Sequence, residues 1–245
     1  MLHRLRKTEC PSLRVLRAAA LLMSLVQFAW AGVAGAGTGA KLGSEATLGG
    51  SPAAGDIVQQ FESSYRGVRT LKAAFTQESS AWGRIRTESG VMYLQRGGKM
   101  RWEYQKPEPK LFVSDGKNVL LYVPAEKQLT RTPLKASEDV RVPLELLVSH
   151  LSLRRAFSKV ELARTEAPVD PGDYVLRAYP KPGYEQDYRD VLVELMPSFD
   201  IRRLVITYPD ETSMRFTFAR IIRNAAMPAS LFEFTPPAGT EVIQQ

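Results

Sequence analysis

Cysteine and histidine are almost missing from this 245-residue chain, which holds one Cys, Cys10, and two His, His3 and His150. Cys10 and His3 lie in an N-terminal stretch that reads as removable, so the remainder has no thiol nucleophile and cannot assemble a His/Cys metal cluster. No HExxH pair and no phosphate-cradling glycine loop occurs. Ser114-Asp115-Gly116 pairs a serine with an acid, but as a turn signal between two apolar runs and not as a nucleophile elbow. His150 closes an apolar helical segment, where a lone histidine serves as a cap or surface residue. Glu185 and Asp187 fall in a Pro/Gly loop where water solvates them. A site of carboxylates alone, brought together in space, is the one enzymatic alternative left open. The expectation is a protein that is not an enzyme and carries no cofactor or metal.

Long apolar runs are also scarce after residue 40. Before it, Arg4, Arg6, Lys7, Arg14 and Arg17 precede an uncharged run from Ala18 to Ala40 that is most apolar up to Trp30. Ala29-Trp30-Ala31 and Ala34-Gly35-Ala36 both fit a small-x-small cleavage rule. A basic start, a short apolar run and a small-residue site describe a secretory signal peptide over residues 1–31, cleaved near 31 or 36. An uncleaved anchor is the alternative, since Ala18 to Ala40 is long enough to span. Cys10 precedes the apolar run, where a lipid-attachment cysteine would not stand. The segment holds five of the 33 basic residues and one of the 26 acids, leaving 28 against 25, a net charge of +3. The remaining cations are scattered among acids with no dense block, so a nucleic-acid partner is not expected.

Residues 32–55 are Gly/Ala/Ser-rich and nearly uncharged, a flexible lead. One domain is expected over 56–245, about 190 residues and enough for a single core. Asp56 reads as the cap of a helix running to about Arg66. Ile57, Val58, Phe61 and Tyr65 form its apolar stripe, and Gly67 stops it. Leu71 to Glu78 reads as a strand, with Phe75-Thr76-Gln77 resembling a half-exposed edge.

What the chain has in abundance is strand signal. Gly90 to Pro133 reads as a meander of antiparallel strands with short links. Val91 to Arg96 is β-prone, and Gly97-Gly98 supplies the positive φ of a tight hairpin. On the return, Met100, Trp102 and Tyr104 share one face while Arg101 and Glu103 share the other. Lys106-Pro107-Glu108-Pro109 is a connection or an edge. Leu111-Phe112-Val113 and Val119 to Val123 are apolar at every position, where a sheet with one wet face would alternate. A sandwich or barrel core accounts for that, and so does a sheet curved around an apolar ligand site. Beyond the meander, Pro143 to Leu151 looks helical with Leu144, Leu147 and Leu151 on one face. Val160 to Arg164, Tyr174 to Tyr179, Tyr188 to Met196, Ile201 to Tyr208 and Thr212 to Arg223 read as further strands. The total is about ten or eleven strands with a few short helices.

The ordered set Phe75-Thr76-Gln77, YLQR (93–96), KMRWEY (99–104), VSDGK (113–117), LLYVP (120–124) and Phe232-Glu233-Phe234-Thr235-Pro236-Pro237 resembles the LolA-type outer-membrane lipoprotein carriers across roughly 56–243. No single piece is diagnostic; the order and spacing together are fairly specific. The resemblance implies a mainly β (α+β) fold, an incomplete antiparallel β-barrel of about eleven strands with a lid of short α-helices. It further implies an apolar cavity for the acyl chains of lipoproteins. The protein would be a periplasmic monomer that takes them from an ATP-driven inner-membrane transporter and passes them to an outer-membrane acceptor. Doubly apolar strands would then face a covering on one side and the cavity on the other.

Strand parity nominates Met92, Leu94, Met100, Trp102 and Tyr104 as cavity residues, joined by Leu144, Leu147 and Leu151 from the lid. The family implies one polar role, an arginine at this strand end that hydrogen-bonds the lid and holds it shut when empty. That position is Arg96, which shares parity with Met92 and Leu94 if the strand continues without a bulge. Taken alone, it would be read as an exposed arginine beside a turn. The chain departs from the family in having Gly97-Gly98 where proline commonly follows, and Met100 where an aromatic is often seen. Two alternatives share the fold: a carrier of another lipid, and a lipid- or lipoprotein-sensing regulator of envelope stress, although such regulators carry an additional C-terminal domain.

Overall fold

Ile57, Val58, Phe61 and Tyr65 are the buried stripe of α1 (Ala54–Tyr65). The computed structural model describes residues 52–134 and 152–244. The helix starts two residues before Asp56. Ala53 occupies the cap without a side-chain bond, and Asp56 lies inside the first turn. There its carboxylate acts on the helix dipole instead of capping a free N–H.

Among the described residues twelve strands follow in one sheet. They are β1 (Thr70–Ala81), β2 (Arg84–Gln95), β3 (Lys99–Lys106), β4 (Lys110–Asp115), β5 (Asn118–Val123) and β6 (Gln128–Pro133). After the undescribed stretch come a short α2 (Leu153–Ala156), then β7 (Lys159–Leu162), β8 (Tyr174–Tyr179), β9 (Asp190–Leu195), β10 (Ile201–Thr207), β11 (Ser213–Arg223) and β12 (Glu241–Gln244). The order is β12-β6-β5-β4-β3-β2-β1-β11-β10-β9-β8-β7. Every neighbour is antiparallel except β12, which runs parallel to β6. The result is an incomplete antiparallel barrel, mainly β with few helices, as expected. The strand β12 is an addition to the expected set.

The meander lies where its turn chemistry put it. Gly97 and Gly98 take φ of +92° and +80° between β2 and β3. The Pro-rich link at 107–109 separates β3 from β4. One expectation is overturned: Phe75-Thr76-Gln77 is no edge. The strand β1 sits between β2 and β11, and both Phe75 and Gln77 are buried. The polarity of Gln77 is matched internally, because its Oε1 accepts the Tyr104 hydroxyl at 2.8 Å.

Parts of both faces of the sheet are covered. The stripe of α1 joins one buried cluster with Leu71, Phe75, Met92, Trp102, Leu176, Val193, Leu204 and Phe218. This is the inner face. On the outer face of β3–β5, the segment after β11 lies across the strands. There Phe232 is buried, the Phe234 ring stands 5.1 Å from Tyr122, and Arg101 Nη1 donates to the Leu231 carbonyl at 3.2 Å. Both sides of these strands therefore carry apolar residues. Farther round, the outer face of β8–β10 mixes apolar residues with buried charge, and the β7–β8 link lies over that charge. Arg203 pairs with the buried Glu194 at 2.5 Å, and the Val169 N–H donates to Glu194 at 2.6 Å.

Candidate functional site: an apolar inner face under a tied helix

Register aligns the inner residues strand by strand. Leu94 stands opposite Leu71 and Met100, Met92 opposite Ala73 and Trp102, and Trp102 in turn opposite Phe112. Met92 and Met100 are each 1% exposed, and Leu94 and Trp102 are each 3% exposed. Tyr104 packs against this cluster, half-buried. The structure thus gathers the five strand residues nominated by parity on one face. Leu144, Leu147 and Leu151 lie outside the described residues.

Sequence reasoning left out most of the aromatic floor. The Trp102 ring meets Phe75 edge-on at 4.8 Å, Phe216 at 5.6 Å and Phe218 at 6.4 Å, while Phe75 also meets Tyr104 at 5.0 Å. Edge-to-face contacts of this kind add to area burial and hold rings in place. Phe216 and Phe218 alternate within β11, and that period-2 signal would have nominated them. The Trp102 Nε1 is buried without a hydrogen-bond partner among the described residues. At one end of this face the surroundings turn polar. Glu88, buried, pairs with Lys110 at 2.8 Å and Arg86 at 3.1 Å, and the Lys110 ammonium stands 4.1 Å from the Tyr104 ring centre. Burial, helped by the Glu88 charge, pushes the Tyr104 phenol well above the ordinary tyrosine range.

At the other end, α1 is tied down by its last carbonyls, which have no partner within the helix. The strand β2 stops at Gln95, so Arg96 is the exposed first residue of the turn and strand parity does not set its direction. Its Nη2 donates to the Tyr65 carbonyl at 3.1 Å and to the Arg66 carbonyl at 2.5 Å. A second arginine, Arg223 at the end of β11, reaches the same turn of α1. Its Nη1 donates to the Ser64 carbonyl at 3.4 Å, Nη2 to Ser198 at 3.2 Å and Nε to Asp200 at 2.8 Å. The Tyr65 hydroxyl donates to Asp200 at 3.1 Å. Nothing in the local sequence around Arg223 marks it, since its partners lie far away along the chain. Chemically the site offers an apolar surface closed by a handful of polar ties. Among the described residues no cluster of His, Cys, Asp and Glu suits a metal.

An incomplete barrel with a helix tied over an apolar inner face defines the class. The sequence comparisons agree with it. Residues 66–235 match the model of the family described as outer membrane lipoprotein carrier protein LolA. The outer-membrane lipoprotein carrier protein of Dechloromonas aromatica is 31% identical over 189 residues, 76% of this chain and 86% of its own length. That of Methylococcus capsulatus is 34% identical over 178 residues, 72% of this chain and 82% of its own. The crystal structure of an uncharacterized conserved protein from Thermus thermophilus aligns with TM-score 0.49 and 15% identity, covering 78% of this chain and 99% of that one. The chain belongs to the LolA family of outer-membrane lipoprotein carrier proteins.

Proposed function

We propose that this protein is a periplasmic carrier, exported by a cleaved signal peptide, that shields the acyl chains of lipoproteins. It takes them from an ATP-driven inner-membrane transporter and hands them, as a monomer without cofactor, to an outer-membrane acceptor. The observation that carries this reading is the pair of bonds from Arg96 to the last carbonyls of α1, above an inner face of Met92, Leu94, Met100, Trp102 and Tyr104. A triacylated anchor exposes dozens of methylenes at roughly 0.8 kcal/mol each, far too many to cross water unaided. The tie of α1 is by contrast a few hydrogen bonds, each a modest net contribution that an entering chain can offset. Arg96 acts as a latch that favours the closed, empty state. Its re-forming drives release, and Met92 and Met100 adapt to chains of varied shape.

A release assay on spheroplasts tests the proposal. Purified protein is added, and newly made outer-membrane lipoproteins are sought in the supernatant. A one-to-one complex that disappears when the acyl chains are removed is the expected result. No release, with phospholipid co-purifying instead, would discard it in favour of a carrier of another lipid.

A further inference from the structure

The hairpin of β1 and β2 outruns β3 on one side, while on the other β11 pairs with β1 as far as Ser80. The strand β2 pairs with β1 along its full length, yet with β3 only from Ser89 onward. Ala81 pairs with Arg84, so Trp82-Gly83 is the whole turn. Both turn residues have positive φ, +48° and +75°. A two-residue turn of that hand ordinarily takes Asn-Gly, because a bulky side chain at positive φ is disfavoured. Here the first position holds a tryptophan that is 80% exposed, and Ile85 just beyond it is 69% exposed. Neither residue serves the core, and the turn itself would be better served by asparagine. An unfavourable backbone state occupied by a large exposed indole points to a use outside the fold.

Along the hairpin itself the charges nearest the tip are basic, while the neighbouring β10–β11 turn, which meets Ser80 through Ser213, carries Asp210 and Glu211, the latter paired with Arg189. No acid occurs between Glu78 and Glu88, while Arg84 and Arg86 flank Ile85. The two bounding acids are already engaged, Glu88 by Lys110 and Arg86, and Glu78 by Arg215 at 3.6 Å. Indole rings favour the headgroup level of a bilayer, and arginines beside them are drawn to anionic lipid. The apolar patch is two side chains wide, well short of the roughly 800 Å² per partner that a stable protein interface covers. Shallow, reversible attachment to a membrane needs no more than this.

We propose that the Trp82–Ile85 hairpin tip is an interfacial anchor that docks the protein transiently on bilayer surfaces rich in anionic phospholipid. The proposal goes beyond the carrier reading and needs no cargo. The tip also lies at the opposite end of β2 from Arg96, about 40 Å away along twelve residues. Substitutions at the tip therefore leave the ties on α1 untouched.

The test uses protein recovered from the periplasm, sedimented with vesicles of phosphatidylethanolamine and phosphatidylglycerol, and in parallel with phosphatidylcholine vesicles. Wild-type protein is expected to sediment with the anionic vesicles only, and less so as salt is raised. Trp82→Asn suits the turn, so its thermal midpoint should equal or exceed that of wild type. Trp82→Asn/Ile85→Ser should lower the bound fraction roughly tenfold. Brominated lipid should quench wild-type tryptophan fluorescence and leave Trp82→Asn unquenched. Equal binding by the double variant, equal binding to phosphatidylcholine, or no wild-type binding at low salt would each overturn the proposal. If wild type ignores vesicles yet Trp82→Asn impairs lipoprotein transfer, the tip docks on a protein and the membrane assignment is wrong. Vesicle binding is read without lipoprotein, so its failure leaves the carrier reading standing.

Discussion

The Arg223 guanidinium stands 4.3 Å from the centre of the Tyr65 ring, and it binds the same Asp200 carboxylate that accepts the Tyr65 hydroxyl. With the bond to the Ser64 carbonyl, this side chain grips the last turn of α1 by ring, carboxylate and backbone together. Arg96 grips the following carbonyls from the β2–β3 turn. The covering helix is thus held at one end by two arginines, one from the β2–β3 turn and one from the end of β11.

Arg223→Leu should loosen that end while leaving the sheet intact. The cation–π contact and the charge-assisted bonds together suggest a loss of about 1–3 kcal/mol in local stability. Amide hydrogen exchange at Phe61 to Tyr65 should accelerate accordingly, with β-sheet amides unchanged. Arg223→Lys keeps the charge and loses the fork, so it should recover little. Unchanged exchange in both variants would remove Arg223 from the account.

Arg96→Leu should accept lipoprotein from spheroplasts but pass it poorly to outer membranes, because the closed empty state loses its tie. Arg96 is an exposed turn residue, so the thermal midpoint should move by only a few degrees. Transfer at wild-type rate would take Arg96 out of the mechanism. In Arg96→Leu/Arg223→Leu the effects on α1 exchange should exceed the sum of the single effects, since both hold one turn of one helix.

What sequence could reveal here followed from local chemistry. The stripe of α1, the Gly97-Gly98 turn and the alternation of Met100, Trp102 and Tyr104 each declare themselves within a few residues. The tip of the first hairpin did not, since Trp82 is the wrong residue for its turn and Arg84 to Glu88 shows no apolar alternation. Gln77 looked like an edge because its partner, the Tyr104 hydroxyl, comes from two strands away. Strand β12 is four largely exposed residues, and only its parallel pairing with β6 identifies it. Arg223 could not be read at all, because its role exists only after β11 and α1 meet.

Gly90→Ala should be among the most damaging small changes. A Cβ at Gly90 would lie 1.9 Å from the Glu103 carbonyl oxygen, a backbone atom that no rotamer change can move. Relief requires β2 and β3 to separate beside the irregularity at Ser89 and Gly90, opposite Tyr104. A loss of roughly 3 kcal/mol is expected, at the upper end for overpacking. Urea unfolding measures it, and a midpoint within error of wild type would show that the strands part more easily than this geometry implies.

Alkaline unfolding should report on Tyr104. Burial, then the Glu88 charge, raises its phenol above the ordinary value near 10. Burial, with Asp200 beside it, does the same to Tyr65. A folded-state value above the unfolded one means that the native protein retains the proton longer. The stabilisation is therefore complete below about pH 10 and declines as pH rises past the unfolded value. Tyr104→Phe removes this titration together with the hydrogen bond to Gln77, which costs about 1 kcal/mol at neutral pH. Wild type should be the more stable form at pH 7, and its advantage should shrink as pH passes 10. Urea midpoints at pH 7, 9 and 10.5 measure the gap. A constant gap would mean that the Tyr104 phenol titrates alike in folded and unfolded chains, and its burial beside Glu88 would then have no energetic consequence.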